Sequence, residues 1–347
     1  MAVTAAAVNS LPKEFLHFIN DPRPRTAVKT LKNQNKSLVV GTRGSALALK
    51  QTDMIVAQLR QAHPDVEFVV EVNRISTEGD RQSKVPLTQM AGRGVFVKDI
   101  EMALLAGEID LAVHSLKDMP SVITPGLAIA AVSEREDPRD VLISKNGYRF
   151  ETLPQSAVVG TSSTRRSAQL LAARPDLKIQ PLRGNVDTRL RKALDGEYDA
   201  IVLAAAGVLR LDRGTDITEY LSYDFCLPAV GQGVIAVETR EDDKEALDLV
   251  SSMDCTDVHN CIVAERVFLQ ELGGGCLIPI AAFGTIGEGE LRLRGMVCSP
   301  DGRTIIRDEI RGDVSAPTSV ARALVEKFLS QGAQNVIQEF QQSIQQR

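Results

Sequence analysis

The chain reads as an α/β protein of three domains: two similar units with mixed, mostly parallel sheets, then a small three-stranded antiparallel sheet covered by helices. Three observations predict this. The tetrapeptide Val-Val-Gly-Thr occurs twice, at 39–42 and 158–161, each time ending a short apolar run that hands over to an alanine- and leucine-rich helical pattern. Strand-like runs alternate with helical periodicity through both regions, the signature of βα units with parallel strands covered by helices. Beyond about residue 257 the order changes to a long helix, three strands and further helix.

Ser37–Gly41 is expected to be a buried strand, and Ala46–Gln61 a helix with Ile55, Leu59 and Ala62 on one face. Val66–Val72 is a second strand, and the charged stretch Ser76–Pro86 reads as a mobile loop. Val95–Ala106 has Phe96, Ile100, Ala103 and Leu104 at helical spacing, with Gly107 as its C-terminal cap. Ile109–Val113 is a strand that ends in the loop His114–Pro120, and Leu127–Val132 is another strand. The segment Ser133–Asp140 reads as a crossing between domains. A second unit follows: strand Ala157–Gly160, helix Thr164–Ala173, strand Lys178–Leu182, helix Val186–Leu194 and strand Ala200–Leu203. Leu227–Gly233 is a Pro/Gly hinge, after which Val234–Val237 returns to the first sheet. Helix Val258–Leu272 leads through Gly273-Gly274-Gly275-Cys276 into strands Ile280–Ile286, Leu291–Cys298 and Thr304–Ile310, with Asp301-Gly302 as a hairpin turn. Val314–Gln345 is helical. The expected domains are 37–133 plus 234–253, 139–228 with a hinge at 229–233, and 257–347, preceded by a loosely ordered extension at 1–36.

Composition narrows the function. A content of 44 % hydrophobic and 24 % charged residues is that of a globular protein, and the uncharged stretches fall short of a membrane span. The net charge of −5 and aromatic content of 4 % argue against nucleic acid as partner. Residues 155–215 nevertheless carry eight Arg and two Lys against six Asp or Glu, a local +4 that points to small anionic ligands. Five cysteines without a Cys-x-x-Cys pair favour reduced thiols and a cytoplasmic setting, with a plastid or mitochondrion as the alternative if 1–36 is a transit peptide. The scattered histidines give no metal site, and nothing demands more than a monomer.

Both Val-Val-Gly-Thr turns place cationic and hydroxyl side chains where the first helical N–H groups lack partners and the helix dipole favours negative charge. Arg43 belongs to the first turn, and Arg165 and Arg166 to the second. Arg183 ends a strand, Arg189 lies near the next helix start, and Arg210 follows a buried segment. Guanidinium clamps planar carboxylates through two parallel hydrogen bonds, so these arginines suit a ligand with several carboxylates; a solvated basic face is the plainer reading. The loop His114–Pro120 packs a hydroxyl, an ammonium and a carboxylate after a buried strand, where α/β sheets carry functional groups. Asp118 beside Lys117 should stay ionised and hold a developing cation or move a proton; a surface turn with a local ion pair is the alternative. Cys276 closes a triple-glycine run that lets backbone approach a bulky group, as anchoring a ligand through sulfur requires. A buried cysteine in a flexible loop would read the same way.

Six segments in order, GTRGSALALKQ, HSLKDMP, VGTSSTRRSAQL, LRGNVDTRL, LPAVGQG and ELGGGCLIPIAA, together resemble the hydroxymethylbilane synthase (porphobilinogen deaminase) family of tetrapyrrole biosynthesis. The resemblance runs from about Ser37 to the C-terminus. It implies three α/β domains, the first two like periplasmic binding proteins, and a dipyrromethane cofactor held by a thioether to Cys276. Asp118 takes the position of the catalytic aspartate. Lys117, Ser115, Thr161, Ser163, Arg165, Arg166 and Arg189 would meet the cofactor's acetate and propionate groups. Arg43, Ser45, Gln51, Arg183 and Arg210 would meet the incoming porphobilinogen. The reaction it implies deaminates four porphobilinogen molecules, joins them head to tail on the dipyrromethane, and releases the linear product with water.

The chain departs from that pattern in three places. It reads Ala91-Gly92-Arg93-Gly94 where Gly-Gly-Lys-Gly is usual, Gln89 where lysine is frequent, and Gly273 where an acid is common. A non-catalytic polycarboxylate-binding protein would also use two anion turns, but would have no need of Asp118 or Cys276.

Overall fold

A computed structural model describes residues 35–81, 94–273 and 278–345 of the chain. The first unit holds β1 (Asn35–Arg43), α1 (Ala46–Ala62), β2 (Glu67–Ile75), the single turn α2 (Glu78–Arg81), α3 (Lys98–Leu105), β3 (Leu111–Ser115) and β4 (Leu127–Val132). The second holds β5 (Asp140–Ile143), β6 (Val158–Gly160), α4 (Thr164–Ala173), β7 (Lys178–Gln180), α5 (Val186–Asp195), β8 (Ala200–Ala204), α6 (Ala205–Arg210) and β9 (Glu219–Tyr220). Then come β10 (Ile235–Arg240), α7 (Lys244–Ser251), α8 (Thr256–Glu271), β11 (Ile280–Gly287), β12 (Glu290–Cys298), β13 (Ile305–Asp313), α9 (Pro317–Ser330) and α10 (Ala333–Gln345).

Two five-stranded sheets share one plan, with orders β2-β1-β3-β10-β4 and β7-β6-β8-β5-β9. In the first, β1 runs parallel to β2 and β3, and β10 runs antiparallel to β3 and β4. In the second, β6 runs parallel to β7 and β8, and β5 runs antiparallel to β8 and β9. Each sheet therefore has one reversed strand, and in each it is the strand that follows a crossing between sheets. The two Val-Val-Gly-Thr segments occupy equivalent strands, β1 and β6. Both glycines face close neighbours: a Cβ on Gly41 would sit 2.3 Å from Ile109 Cδ1, and one on Gly160 2.8 Å from the Tyr198 ring, so a side chain at either would displace them.

The crossings run side by side. Ser133 N donates to Ile235 O, Ile235 N to Ser133 Oγ, Glu136 N to Gly233 O, and Gln232 Nε2 to Pro138 O. Gly233 has φ +89°, and a Cβ there would lie 2.3 Å from the Glu136 carbonyl oxygen, so no larger residue fits.

The third sheet has the order β11-β12-β13, antiparallel throughout, with α8, α9 and α10 packed on it around Phe268 and Phe328, whose rings meet edge to face at 5.0 Å. Fully buried Glu265 on α8 locks this layer to the crossings, accepting from Arg135 Nη2 at 2.7 Å, Gly231 N at 2.8 Å and Gly284 N at 2.9 Å. The Gly302 turn packs on α4, and Arg266 of α8 donates to the carbonyls of Pro120 and Ser121, just past Asp118.

Several boundaries differ from expectation. Val95–Val97 form a turn, because Gly94 sits at φ +83° and accepts from Val97 N; the helix starts only at Lys98. His114 and Ser115 extend β3 rather than beginning the loop. Strand β5, fully buried but only four residues long, escapes a reading based on runs because the charged crossing abuts it. The C-terminal helix breaks at Gly332, which takes φ +89°. Of the charged loop expected at Ser76–Pro86, residues 78–81 form a helical turn and those from 82 lie outside the described residues.

Candidate active site

The two equivalent strands end in equivalent turns. At the end of β1, Ser45 caps α1, its Oγ accepting from Ala48 N at 3.3 Å. At the end of β6, Ser163 caps α4, accepting from Arg166 N at 3.4 Å, while Ser163 N donates to Thr161 Oγ1 at 3.2 Å. Asn185 caps α5 in the same way, which sets Arg189 on the first turn with Nε donating to Gly184 O at 2.7 Å. Ser, Ser and Asn in these positions satisfy orphan N–H groups and leave the helix N-termini facing the cleft.

Between them lies the end of β3. Ser115 Oγ donates to Gln51 Oε1 of α1 at 3.0 Å, and a tight turn over Leu116–Asp118 presents Lys117 and Asp118. Asp118 Oδ2 is 3.9 Å from Arg43 Nη1, and the Arg43 guanidinium lies 4.4 Å from the centre of the Phe96 ring, a cation–π contact that fixes its direction. Arg43, Ser45, Gln51, Phe96, Ser115 and Asp118 all line one small cavity. A larger, more apolar cavity of about 270 Å³, between α8 and the segment Ser121–Ile129 that leads into β4, holds none of them.

The cleft is electrostatically strained in one direction. Burial, then Arg166, draws Lys117 down to about 8, against the opposing pull of Asp118 and Asp140. Burial, then Arg166, draws Arg189 down to about 10; Arg183 and Arg43 add to this, and Asp118 opposes it. Burial alone lowers Arg183. Cations from both sheets, Arg43 from the first and Arg166 and Arg183 from the second, thus act on Arg189, with Asp118 opposing them. Such a set favours a ligand that brings its own negative charges.

The other expected residues are placed differently. Arg165 and Arg166 are buried and engaged: Arg165 Nη1 donates to Asp140 Oδ2 and Leu227 O, both at 2.7 Å, and Arg166 Nε and Nη2 donate to Asp140 Oδ1 at 2.9 and 2.8 Å. Arg210 lies apart, against the return crossing, with Nη2 donating to Gly233 O at 2.7 Å. His114 is held by buried Glu238 at 3.1 Å. Cys276, Arg93 and Gln89 lie outside the described residues. Phe96, Asp140 and Gln232 were not among the expected groups. In the sequence Phe96 fits a helix position and Asp140 ends a charged crossing, so neither carries a local signal of the site.

Among the described residues no group of three or more His, Cys, Asp or Glu side chains is placed to hold a metal ion, and no helix is long and apolar enough to cross a membrane. Residues 38–248 match the family model for the porphobilinogen deaminase, dipyromethane cofactor binding domain, and residues 259–330 match that for the porphobilinogen deaminase, C-terminal domain. The chain is 49 % identical over 304 residues to a porphobilinogen deaminase of Geobacillus kaustophilus, covering 87 % of this chain and 97 % of that one. It is 47 % identical over 304 residues to that of Carboxydothermus hydrogenoformans, covering 88 % and 97 %. Among solved structures, the substrate binding protein of an amino acid ABC transporter aligns at 16 % identity and a TM-score of 0.33, over 69 % of this chain and 95 % of that one, a likeness too weak to argue from. A fold of two matched α/β sheets and a third antiparallel one, a cleft of convergent cations around one acid, and identity over nearly the whole described length agree: the chain belongs to the porphobilinogen deaminase family.

Proposed function

We propose that the cleft around Asp118 carries out the family's transferase chemistry, joining four porphobilinogen molecules head to tail on a dipyrromethane and releasing a linear tetrapyrrole. The observation that carries this reading is one site where Arg43 lies 3.9 Å from Asp118 and where burial first, then the field of Arg166, draws Lys117 down to about 8 and Arg189 to about 10. Like charges gathered at such a cost suit a group with several carboxylates, and a dipyrromethane has four. When bound, it supplies the free α-carbon to which the first pyrrole is joined.

The chain's own residues have these parts. Arg189, Arg166 and Lys117 hold cofactor carboxylates, with Ser115, Thr161, Ser163 and Arg165 beside them. Arg43, Ser45, Gln51 and Arg183 orient the incoming porphobilinogen, and Arg210 steadies the crossing beside it. Each round breaks one C–N bond, releases ammonia, forms one C–C bond and frees one proton from the attacked α-carbon. Positive charge gathers on pyrrole nitrogen in these steps. Asp118, the acid of the cleft, lies where its carboxylate stabilises that charge and accepts the N–H groups. Arg43, 3.9 Å away, keeps Asp118 directed into the cleft.

Cys276 is the attachment point. It follows α8, whose Arg266 touches the carbonyls of Pro120 and Ser121, just past Asp118. The buried thiols compete poorly: burial pushes Cys226 and Cys261 up to about 12 and Cys298 to about 11.

On this reading the chain divides into three domains, 37–133 with 234–253, 139–228 and 257–347, hinged at 229–233, and one sheet for each supports it. The protein works as a cytoplasmic monomer without nucleic acid or membrane partners. A non-catalytic polycarboxylate-binding protein is not favoured, given the family. Asp118→Asn tests the assignment: the variant folds and keeps its cofactor, while turnover falls at least about 100-fold. Near-normal tetrapyrrole formation would remove Asp118 from the mechanism.

A further inference from the structure

Asp140 opens β5 at 0 % exposure, and its carboxylate meets four donor atoms besides a thiol. Oδ2 accepts from Arg165 Nη1 at 2.7 Å and lies 3.3 Å from Cys226 Sγ. Oδ1 accepts from Arg166 Nε at 2.9 Å, Arg166 Nη2 at 2.8 Å and Gln232 Nε2 at 2.9 Å. Gln232 belongs to the return crossing, and its amide also donates to Pro138 O of the outgoing crossing at 2.7 Å. Adjacent side chains on a helix diverge, yet one acid gathers Arg165 and Arg166 together. Both crossings, the start of β5 and the N-terminus of α4 therefore meet at a single carboxylate.

We propose that Asp140 is a positioning residue for the condensation reaction: it aims the Arg165–Arg166 pair at the cleft and ties that pair, through Gln232, to the hinge. The inference rests on the reading of the Asp118 cleft as the active site. Two arginines without this acid would be two buried cations beside Lys117, repelling each other and the ammonium. With it, the arginine pair and the acid together keep one net positive charge, and bonds to Val202 O and Leu227 O help fix the direction of the two guanidinium groups.

The electrostatic consequence separates positioning from plain structural support. The groups acting on Lys117 are Arg166 and Arg165, which lower it, and Asp118 and Asp140, which raise it, all against the effect of burial. Removing the Asp140 charge leaves both arginines and takes away one of the two acids. Lys117 then loses its proton at lower pH, and the grip of its ammonium on a carboxylate ends earlier on the alkaline side.

The test is the pH profile of kcat/KM for the cofactor-loaded enzyme and its Asp140→Asn variant. The variant's alkaline limb is expected about one pH unit lower, with kcat/KM reduced at least about tenfold at neutral pH because the arginine pair is no longer aimed. Asp140→Glu, which keeps the charge, restores the position of the limb. Gln232→Met keeps the carboxylate and breaks the tie to the hinge, so it lowers kcat/KM without moving the limb. Should Asp140→Asn fail to fold, Gln232→Met carries the test: kcat/KM within about twofold of the parent in that variant overturns the proposal. A folded variant with an unmoved limb and kcat/KM within about twofold of the parent overturns the proposal. An active Asp118→Asn enzyme would instead sink the underlying reading of the cleft, so the two failures are distinct.

Discussion

Replacing Arg189 by glutamine should separate binding from stability in a way few buried-arginine substitutions do. Arg189 sits at about 10 rather than 12.5, through burial and then the field of Arg166, Arg183 and Arg43. At about 1.4 kcal/mol per pH unit, that shift sets a ceiling near 3 kcal/mol on the penalty of keeping the guanidinium charged in the fold. Part of the side chain reaches solvent, so screening reduces the realised penalty to about 1 kcal/mol. The sign follows from the lowered value: the penalty is fully present at every pH below about 10, and is relieved only as pH climbs from there toward the ordinary arginine range. Glutamine removes this penalty and loses the 2.7 Å hydrogen bond from Nε to Gly184 O, a loss of about 1 kcal/mol. The two nearly cancel. Urea denaturation should place the variant within about 1 kcal/mol of the parent. Its kcat/KM should fall about 10- to 100-fold, the worth of a charge-assisted hydrogen bond to a carboxylate. Loss of more than about 3 kcal/mol of stability with normal kcat/KM would show Arg189 to be a structural residue, and the electrostatic reasoning would be wrong.

Two further outcomes follow from the same geometry. Lys117, at about 8, keeps its proton below that pH and loses it above. Binding of a small polycarboxylate such as citrate to cofactor-free protein should therefore weaken about tenfold from pH 7 to pH 9, measured by calorimetry; Lys117→Arg should abolish the dependence, and an unchanged slope in that variant would assign the titration elsewhere. Gly233→Ala places a methyl group 2.3 Å from the Glu136 carbonyl oxygen at φ +89°, and should cost about 2–4 kcal/mol in denaturant unfolding; a cost below about 0.5 kcal/mol would mean the crossings are not packed as described.

Much of the architecture was legible from period alone. The strands β1, β4 and β8 hold apolar runs bounded by turn residues, β12 alternates Leu291 and Leu293 with Arg292 and Arg294, and α1, α4 and α8 have clear helical spacing, so their positions follow from the chain. The return of β10 to the first sheet was legible too, because Pro228 and the glycines at 231 and 233 mark a hinge before an apolar run. Strand β5 was not, since four residues carry no measurable alternation. The cleft was legible as a set of helix starts: Arg43, Ser45, Ser163, Arg166 and Arg189 lie where the turns put them. Tertiary partners were hidden. Nothing local says that Asp140 takes up Arg165 and Arg166, that Arg210 turns to the Gly233 carbonyl, or that Phe96 lies under Arg43. Each of those contacts joins elements far apart in the chain, and only the strand order brings them together.

The central claim is that a dipyrromethane, fixed to Cys276, lies among these cations beside Asp118. The intact mass of the purified protein tests it most directly. The account predicts a parent protein heavier than its sequence by one dipyrrole, with the added mass lost on denaturing purification of Cys276→Ala. A parent protein of bare sequence mass, or a Cys276→Ala variant that keeps the addition, would contradict it.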